Sequence, residues 1–268
     1  MFLFLSLFLF GLVLVACSNT GIDDYTWNSA DDLIITYDDS TALNMAIEAS
    51  QNSKNRNKTV GIFGGSIASN KESIFAIRLW CQHLGMKVKQ YGSGGSGFAG
   101  TQESIEAQVD RAKKHDIYIL WASTNDYTQS REIGEPQDYT EMDGFNQKKR
   151  NTQCGGMNYC IQMLRRLNPK ATIYVFGSIK FFEGSGYEKD SPHHNEIGKN
   201  FYSYIVKQKE VADFQHLSFF NQFDIPCNTL ENSAVYYKDD KYHLTEQGYA
   251  NIGVYQLYFL ATEKEITK

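Results

Sequence analysis

The sequence predicts an α/β protein, a three-layer α/β/α sandwich around a five-stranded parallel sheet. Three observations carry this. From Thr59 onward, short apolar runs alternate with longer stretches of helical pattern. Within those stretches apolar residues recur at three- and four-residue steps, as one buried helix face requires. No internal repeat or Pro/Gly-rich linker divides the 268 residues, a length that suits one sizeable domain. Strands separated by helices become parallel neighbours through right-handed crossovers, which place helices on both faces of the sheet.

The chain opens with a different material. Phe2 to Ala16 is almost wholly apolar, short for a bilayer-spanning helix and typical of the core of a signal peptide. It ends in Leu14-Val15-Ala16-Cys17, which resembles a bacterial lipobox with Cys17 as the lipidated residue, although no Lys or Arg precedes the run. An ordinary signal peptide or an uncleaved anchor is the alternative. Residues 1–17 are therefore expected to be a leader and 18–58 a polar tether and N-terminal extension, with a helix near Thr41–Ser50. Residues 59–268 form the domain proper.

Strands are expected at Thr59–Phe63, Lys87–Tyr91, Asp116–Ala122, Ala171–Phe176 and Leu217–Phe220. Helices are expected at Glu72–Leu84, Glu103–Lys114, Met157–Leu167, Glu196–Asp213 and Thr245–Leu260, the last with Thr245 as its N-cap. The first of these carries Ile74, Ile77, Cys81 and Leu84 along one face. Residues 127–153 interrupt the rhythm with a polar segment long enough to be a binding surface or lid, or a solvated decoration.

Composition narrows the function. Hydrophobic residues at 42% and charged residues at 21% are ordinary for a globular protein. A net charge of −5, with no basic run longer than Lys148-Lys149-Arg150, argues against nucleic acid as a partner. Export permits disulfides, and Cys154 and Cys160 are the nearest pair. Cys81 and Cys160 nevertheless lie in apolar helical patterns and read as buried thiols. No Cys or His spacing suggests zinc, so no metal is expected.

Active sites of open parallel sheets lie beyond the carboxyl ends of the strands. There the sequence places Gly64-Gly65-Ser66, Gln90-Tyr91-Gly92-Ser93-Gly94-Gly95, Ser123-Thr124-Asn125-Asp126 and Asp240-Lys241-Tyr242-His243. A hydroxyl nucleophile, glycine backbone donors, a side-chain amide, and a histidine with a carboxylate three residues before it are the groups acyl transfer to serine needs.

In order and spacing, these blocks resemble the SGNH (GDSL-like) serine hydrolase superfamily across Thr59 to Leu260. The resemblance implies a flavodoxin-like sheet, a nucleophile at Ser66, His243 as its base and Asp240 as the orienting carboxylate. It also implies an oxyanion hole from the N–H groups of Ser66 and Gly95 and the amide of Asn125, with Gly94 the alternative glycine. No cofactor is implied. Three positions depart from the family pattern: Gly65 stands for its usual Asp, Ser123 for the Gly of G-x-N-D, and Gln90 for Asn.

Blander readings exist for each block. Ser66 is also a good helix N-cap, and Gly92, Gly94 and Gly97 match a dinucleotide-binding spacing without its acidic partner. Asn125-Asp126 suits a turn, and His193-His194 is the remaining metal candidate. The four blocks together favour an esterase, and the leader ending in Cys17 points to an exported, membrane-tethered one of the cell envelope. Its expected substrate is a small ester or an acylated glycan; the alternatives are a lysophospholipase or lipase, or a binding module that retains the fold.

Overall fold

The computed structural model describes residues 37–100, 104–183, 186, 188–226 and 228–266. The expected leader, Cys17, most of the tether and Cys227 lie outside them. Five parallel strands form one sheet in the order β2-β1-β3-β4-β5: β1 (Thr59–Gly64), β2 (Lys87–Gln90), β3 (Ile117–Trp121), β4 (Thr172–Phe176) and β5 (Ser218–Phe220). This order reverses direction between β1 and β3, the switch point where such sheets open a crevice. The sequence-predicted strands match these to within a residue or two, because each is a short apolar run bounded by turn residues.

Strand β3 pairs with β1 from Val60↔Ile117 to Gly64↔Trp121, and all five of its residues are buried. Successive side chains alternate faces. Ile117, Ile119 and Trp121 enter one half-core with Trp80, Phe176 and Phe259, while Tyr118 and Leu120 enter the other with Phe63, Ile161 and Val175. The first half-core is covered by α1 (Ser40–Gln51), α3 (Ile74–Leu84) and α9 (Glu246–Thr262), the second by α4 (Ile105–Val109), α6 (Gln153–Leu167) and α7 (Phe201–Phe214). Helix α1 lies within the expected N-terminal extension, yet its Ala42 and Ala46 are buried against this core, and Asp38 N–H donates to Asn251 Oδ1. Short helices α2 (Ser66–Ser69), α5 (Asn125–Thr128) and α8 (Ser233–Tyr236) are the remaining α-helices among the described residues.

Three helix boundaries differ from expectation. Helix α4 stops at Val109 rather than Lys114, because the Lys113 and His115 N–H groups donate to the hydroxyls of Tyr91 and Tyr118 instead of continuing the helix. Helix α6 starts four residues earlier than expected, where the Thr152 hydroxyl accepts from Gly155 N–H. Gly155 and Gly156 hid this start: they are poor helix formers, but any side chain on them would run into Lys149 O and Phe98 O. Residues 196–200 stay outside α7, since Gly198 has a φ of +72° and Asn200 caps Ser203 N–H at 2.9 Å.

The segment 127–153 is tied down. Asp138 is buried and receives Lys149 Nζ at 2.9 Å, Asn158 donates to Pro136 O and Asp138 O, and Arg150 pairs with the buried Glu106 at 2.6 Å. Cys154 and Cys160 are buried free thiols whose ionisation burial opposes, and Cys81 is only partly buried.

Candidate active site

Strand β1 carries the chain to Gly64-Gly65-Ser66, where α2 begins. A buried amide fixes this turn. Gln108 of α4 accepts from Gly64 N–H and donates to Gly64 O, both at 2.9 Å, continuing the hydrogen bonding where β2 has ended. Gln90, at the end of β2, donates to Ala68 O and Ser73 Oγ, both at 2.7 Å, and so anchors the far side of α2.

His243 and Asp240 sit in a turn closed by an antiparallel bridge between Tyr237 and Leu244. Lys238 N–H donates to His243 O at 2.7 Å, and Lys241 takes the left-handed conformation at φ +62° to make the turn. Asp240 Oδ1 accepts the N–H groups of Tyr242 and His243, each at 2.9 Å, and its Oδ2 lies 2.6 Å from His243 Nδ1. Partial burial pushes the Asp240 carboxyl up, but the hydrogen bonds from His243 and Tyr242 outweigh it and hold the group below its ordinary value. An ionised Asp240 requires a proton on Nδ1, which leaves Nε2 as an acceptor. Nε2 lies 2.8 Å from Ser66 Oγ. The structure thus joins three residues from opposite ends of the sequence in one hydrogen-bonded line.

The expected donors besides the Ser66 N–H come from the segments that follow β2 and β3. Gly95 has a φ of +77°, and nothing stands within 4 Å of where its Cβ would be. Gly94 is equally open. Among the described residues, neither the Ser66 N–H nor the Gly95 N–H has an acceptor. Asn125 heads α5, and its Nδ2 lies 2.9 Å from Ser96 O. The adjacent Asp126 is buried. Burial raises its pKa, opposed by the N–H groups of Phe98 and Ala99, which it binds at 2.9 Å and which clamp the loop after Gly95.

Two of these supports were not expected from the sequence. Gln108 left a signal, a single amide between Ile105 and Val109 on an otherwise buried face. Asp126 left none beyond its place beside Asn125. His193 and His194 are exposed, with His194 Nδ1 2.8 Å from Pro192 O, and no cluster of metal-binding side chains occurs among the described residues.

A fold with its crevice at the β1/β3 switch point and a Ser-His-Asp line at that crevice defines a class, and sequence comparison gives the family. The model of the GDSL-like lipase/acylhydrolase family matches residues 62–250, and the chain belongs to that family. The chain is accordingly an ester-bond hydrolase by class. No curated protein matches it. Solved structures share the fold. A protein from Lactobacillus plantarum aligns at a TM-score of 0.61 and 16% identity, over 76% of this chain and 97% of its own. A possible lipase from Chitinophaga pinensis aligns at 0.56 and 18%, over 73% and 95%. The lipase/acylhydrolase from Enterococcus faecalis aligns at 0.50 and 15%, over 79% and 100%.

Proposed function

We propose that the chain is a serine esterase in which Ser66 attacks the acyl carbon, His243 is the general base and acid, and Asp240 holds the imidazole. The observation that carries this is the line Ser66 Oγ, His243 Nε2, His243 Nδ1, Asp240 Oδ2, with contacts of 2.8 and 2.6 Å. His243 takes the Ser66 proton as Oγ bonds to the carbonyl carbon. The carbonyl electron pair moves to oxygen, where the N–H groups of Ser66 and Gly95 and the Asn125 amide stabilise it, each donor contributing about 3–4 kcal/mol by analogy with other serine hydrolases. Collapse breaks the ester C–O bond, and the imidazolium gives its proton to the departing alcohol. Water repeats the sequence on the acyl-enzyme and releases the acid. Ser66→Ala abolishes this turnover; activity that survives that change unaltered contradicts the assignment.

The substrate we favour is a short acyl group on a hydroxylated leaving group, an acetylated glycan. Residues 127–153, which follow the carboxyl end of β3, are polar and charged and contain no apolar run that could build an acyl channel. Tyr127 and Tyr242, which follow Asn125-Asp126 and precede His243, both pack on Phe181 and stay partly exposed, an aromatic wall suited to a sugar ring. The second reading, a lysophospholipase or lipase, draws on Leu230 and Val235, exposed at 56% and 57% just before the Asp240 turn. A series of p-nitrophenyl esters separates the two. Deacetylation predicts turnover falling from acetate to octanoate, and a rise toward octanoate rejects it.

The N-terminal sequence supports a lipid-modified Cys17 that tethers the domain to a bacterial envelope membrane. Mass spectrometry of the native N-terminus tests this, and a mature chain beginning elsewhere than at an acylated Cys17 rejects it.

A further inference from the structure

Two departures from the family pattern meet in space. A Cβ on Gly65 would lie 2.6 Å from Asn125 Nδ2, 2.7 Å from Ser123 Cβ and 2.8 Å from Ser96 O. No side chain fits there as the site stands, and the Ser123 side chain occupies the neighbouring space. Ser123 is buried, at 4% exposure, and its hydroxyl is fully engaged. It donates to Ser96 O at 2.7 Å and accepts from Asn125 N–H at 3.3 Å. Asn125 Nδ2 lies 3.2 Å from the same oxygen.

These distances fix how the amide is used. Ser96 O and Ser123 Oγ are only 2.7 Å apart, so they subtend about 50° at Nδ2, less than half the spread of the two N–H bonds of a planar amide. The two acceptors therefore cannot each lie in line with a separate N–H, so at most one N–H of the amide has an in-line acceptor. From below, the Ser178 hydroxyl donates to Ser123 O at 2.9 Å. Ser178 is in turn held by the buried Gln208, whose amide also reaches Gln153 at 3.1 Å.

We propose that Ser123 is a positioning residue for oxyanion stabilisation: with Ser96 O it engages one N–H of Asn125 and so aims the other at the reacting carbonyl oxygen, in a space that glycine at position 65 keeps free. This rests on the reading of Asn125 as an oxyanion donor. Gly65 and Ser123 are then one coupled device, and neither departure from the family pattern is neutral alone.

The test is a double-mutant cycle on p-nitrophenyl acetate hydrolysis with the full chain, using Ser123→Ala, Asn125→Ala and the double variant, with Ser123→Gly as a second truncation and thermal unfolding of each. Asn125→Ala lowers kcat by about 10²–10³-fold as loss of one oxyanion donor does. Ser123→Ala lowers kcat about 10-fold with KM within about twofold, because it loosens an interaction made only in the transition state. In the Asn125→Ala background the same change costs less than about twofold, since nothing remains to aim. Equal losses in both backgrounds, or a raised KM with kcat intact, overturn the positioning role while leaving Asn125 as donor. An Asn125→Ala enzyme with full kcat removes the donor role itself, and the proposal with it. A wild-type chain without turnover overturns the hydrolase reading beneath both.

Discussion

At the level of single residues, the Asp240 carboxylate determines how the imidazole is used. Three N–H donors converge on it, and a neutral amide in its place would both lose the charge and favour the wrong imidazole tautomer. Asp240→Asn therefore lowers kcat by about 10³–10⁴-fold, with KM little changed. The same contacts set a pH dependence. A folded-state pKa held below the unfolded one contributes stability that is present above the unfolded value and lost as pH falls through the folded value. The difference in Tm between wild type and Asp240→Asn should thus be flat from pH 7 down to the ordinary carboxylate range and shrink only below it. It should also be small, because Asp240 is 47% exposed. A difference that vanishes already at pH 6 contradicts the assigned cause. That Ser66, His243 and Asp240 meet was expected from the sequence, because the proposed chemistry needs these residue types at strand ends. Ser123 was legible only as an exception. Its partner Gly65 lies more than fifty positions away in the chain, and no local pattern links the two. Restoring the family's residue as Gly65→Asp should cut kcat at least about 100-fold through collision with Asn125, with partial recovery on adding Ser123→Gly. Full activity of the single variant would show that position 65 is not confined.

Among the elements, the carboxyl ends of the strands are secured by buried glutamines. Gln108 serves Gly64, Gln208 serves Ser178, and Gln222 donates to Gly177 O at 2.6 Å. Each is a long amide able to reach a backbone group where a neighbouring strand has stopped, which keeps buried polar groups paired. Removing one leaves an orphan. Gln108→Leu strands the Gly64 N–H and should destabilise the protein by about 1–3 kcal/mol in urea unfolding, with a fall in kcat because Ser66 is two residues on. Unchanged stability and rate would show that Gln108 does not hold this turn. Periodicity revealed the strands and most helices, but not these ties. Two of the three helix limits it missed share a cause, tertiary partners that override local preference: tyrosine hydroxyls at the end of α4 and close backbone approach at the start of α6.

For the molecule as a whole, the five-stranded parallel sheet was legible from strand and helix alternation, whereas the order β2-β1-β3-β4-β5 and its switch point were not, because alternation does not say on which side of β1 each later strand adds. Nor was the role of residues 40–51. Within what reads as a polar extension, they form a helix whose Ala42 and Ala46 close the half-core over α9. Alanine is too short to stand out in a hydrophobic pattern, yet it is what two closely packed helices accommodate. Ala46→Asp places an unpaired carboxylate there and should cost about 3 kcal/mol or more, read as a lowered Tm, while the enzyme that remains folded keeps its kcat. A variant with unaltered Tm would make α1 dispensable to the domain.

Covalent labelling of the full chain with a fluorophosphonate, followed by mapping of the modified peptide, puts the serine nucleophile to its sharpest test. A single phosphonylated residue is expected, Ser66, with labelling abolished in Ser66→Ala and slowed about 10³-fold or more in His243→Ala, where the hydroxyl has lost its base. Labelling that persists in Ser66→Ala, or that proceeds at the wild-type rate without His243, would contradict the Ser-His-Asp assignment.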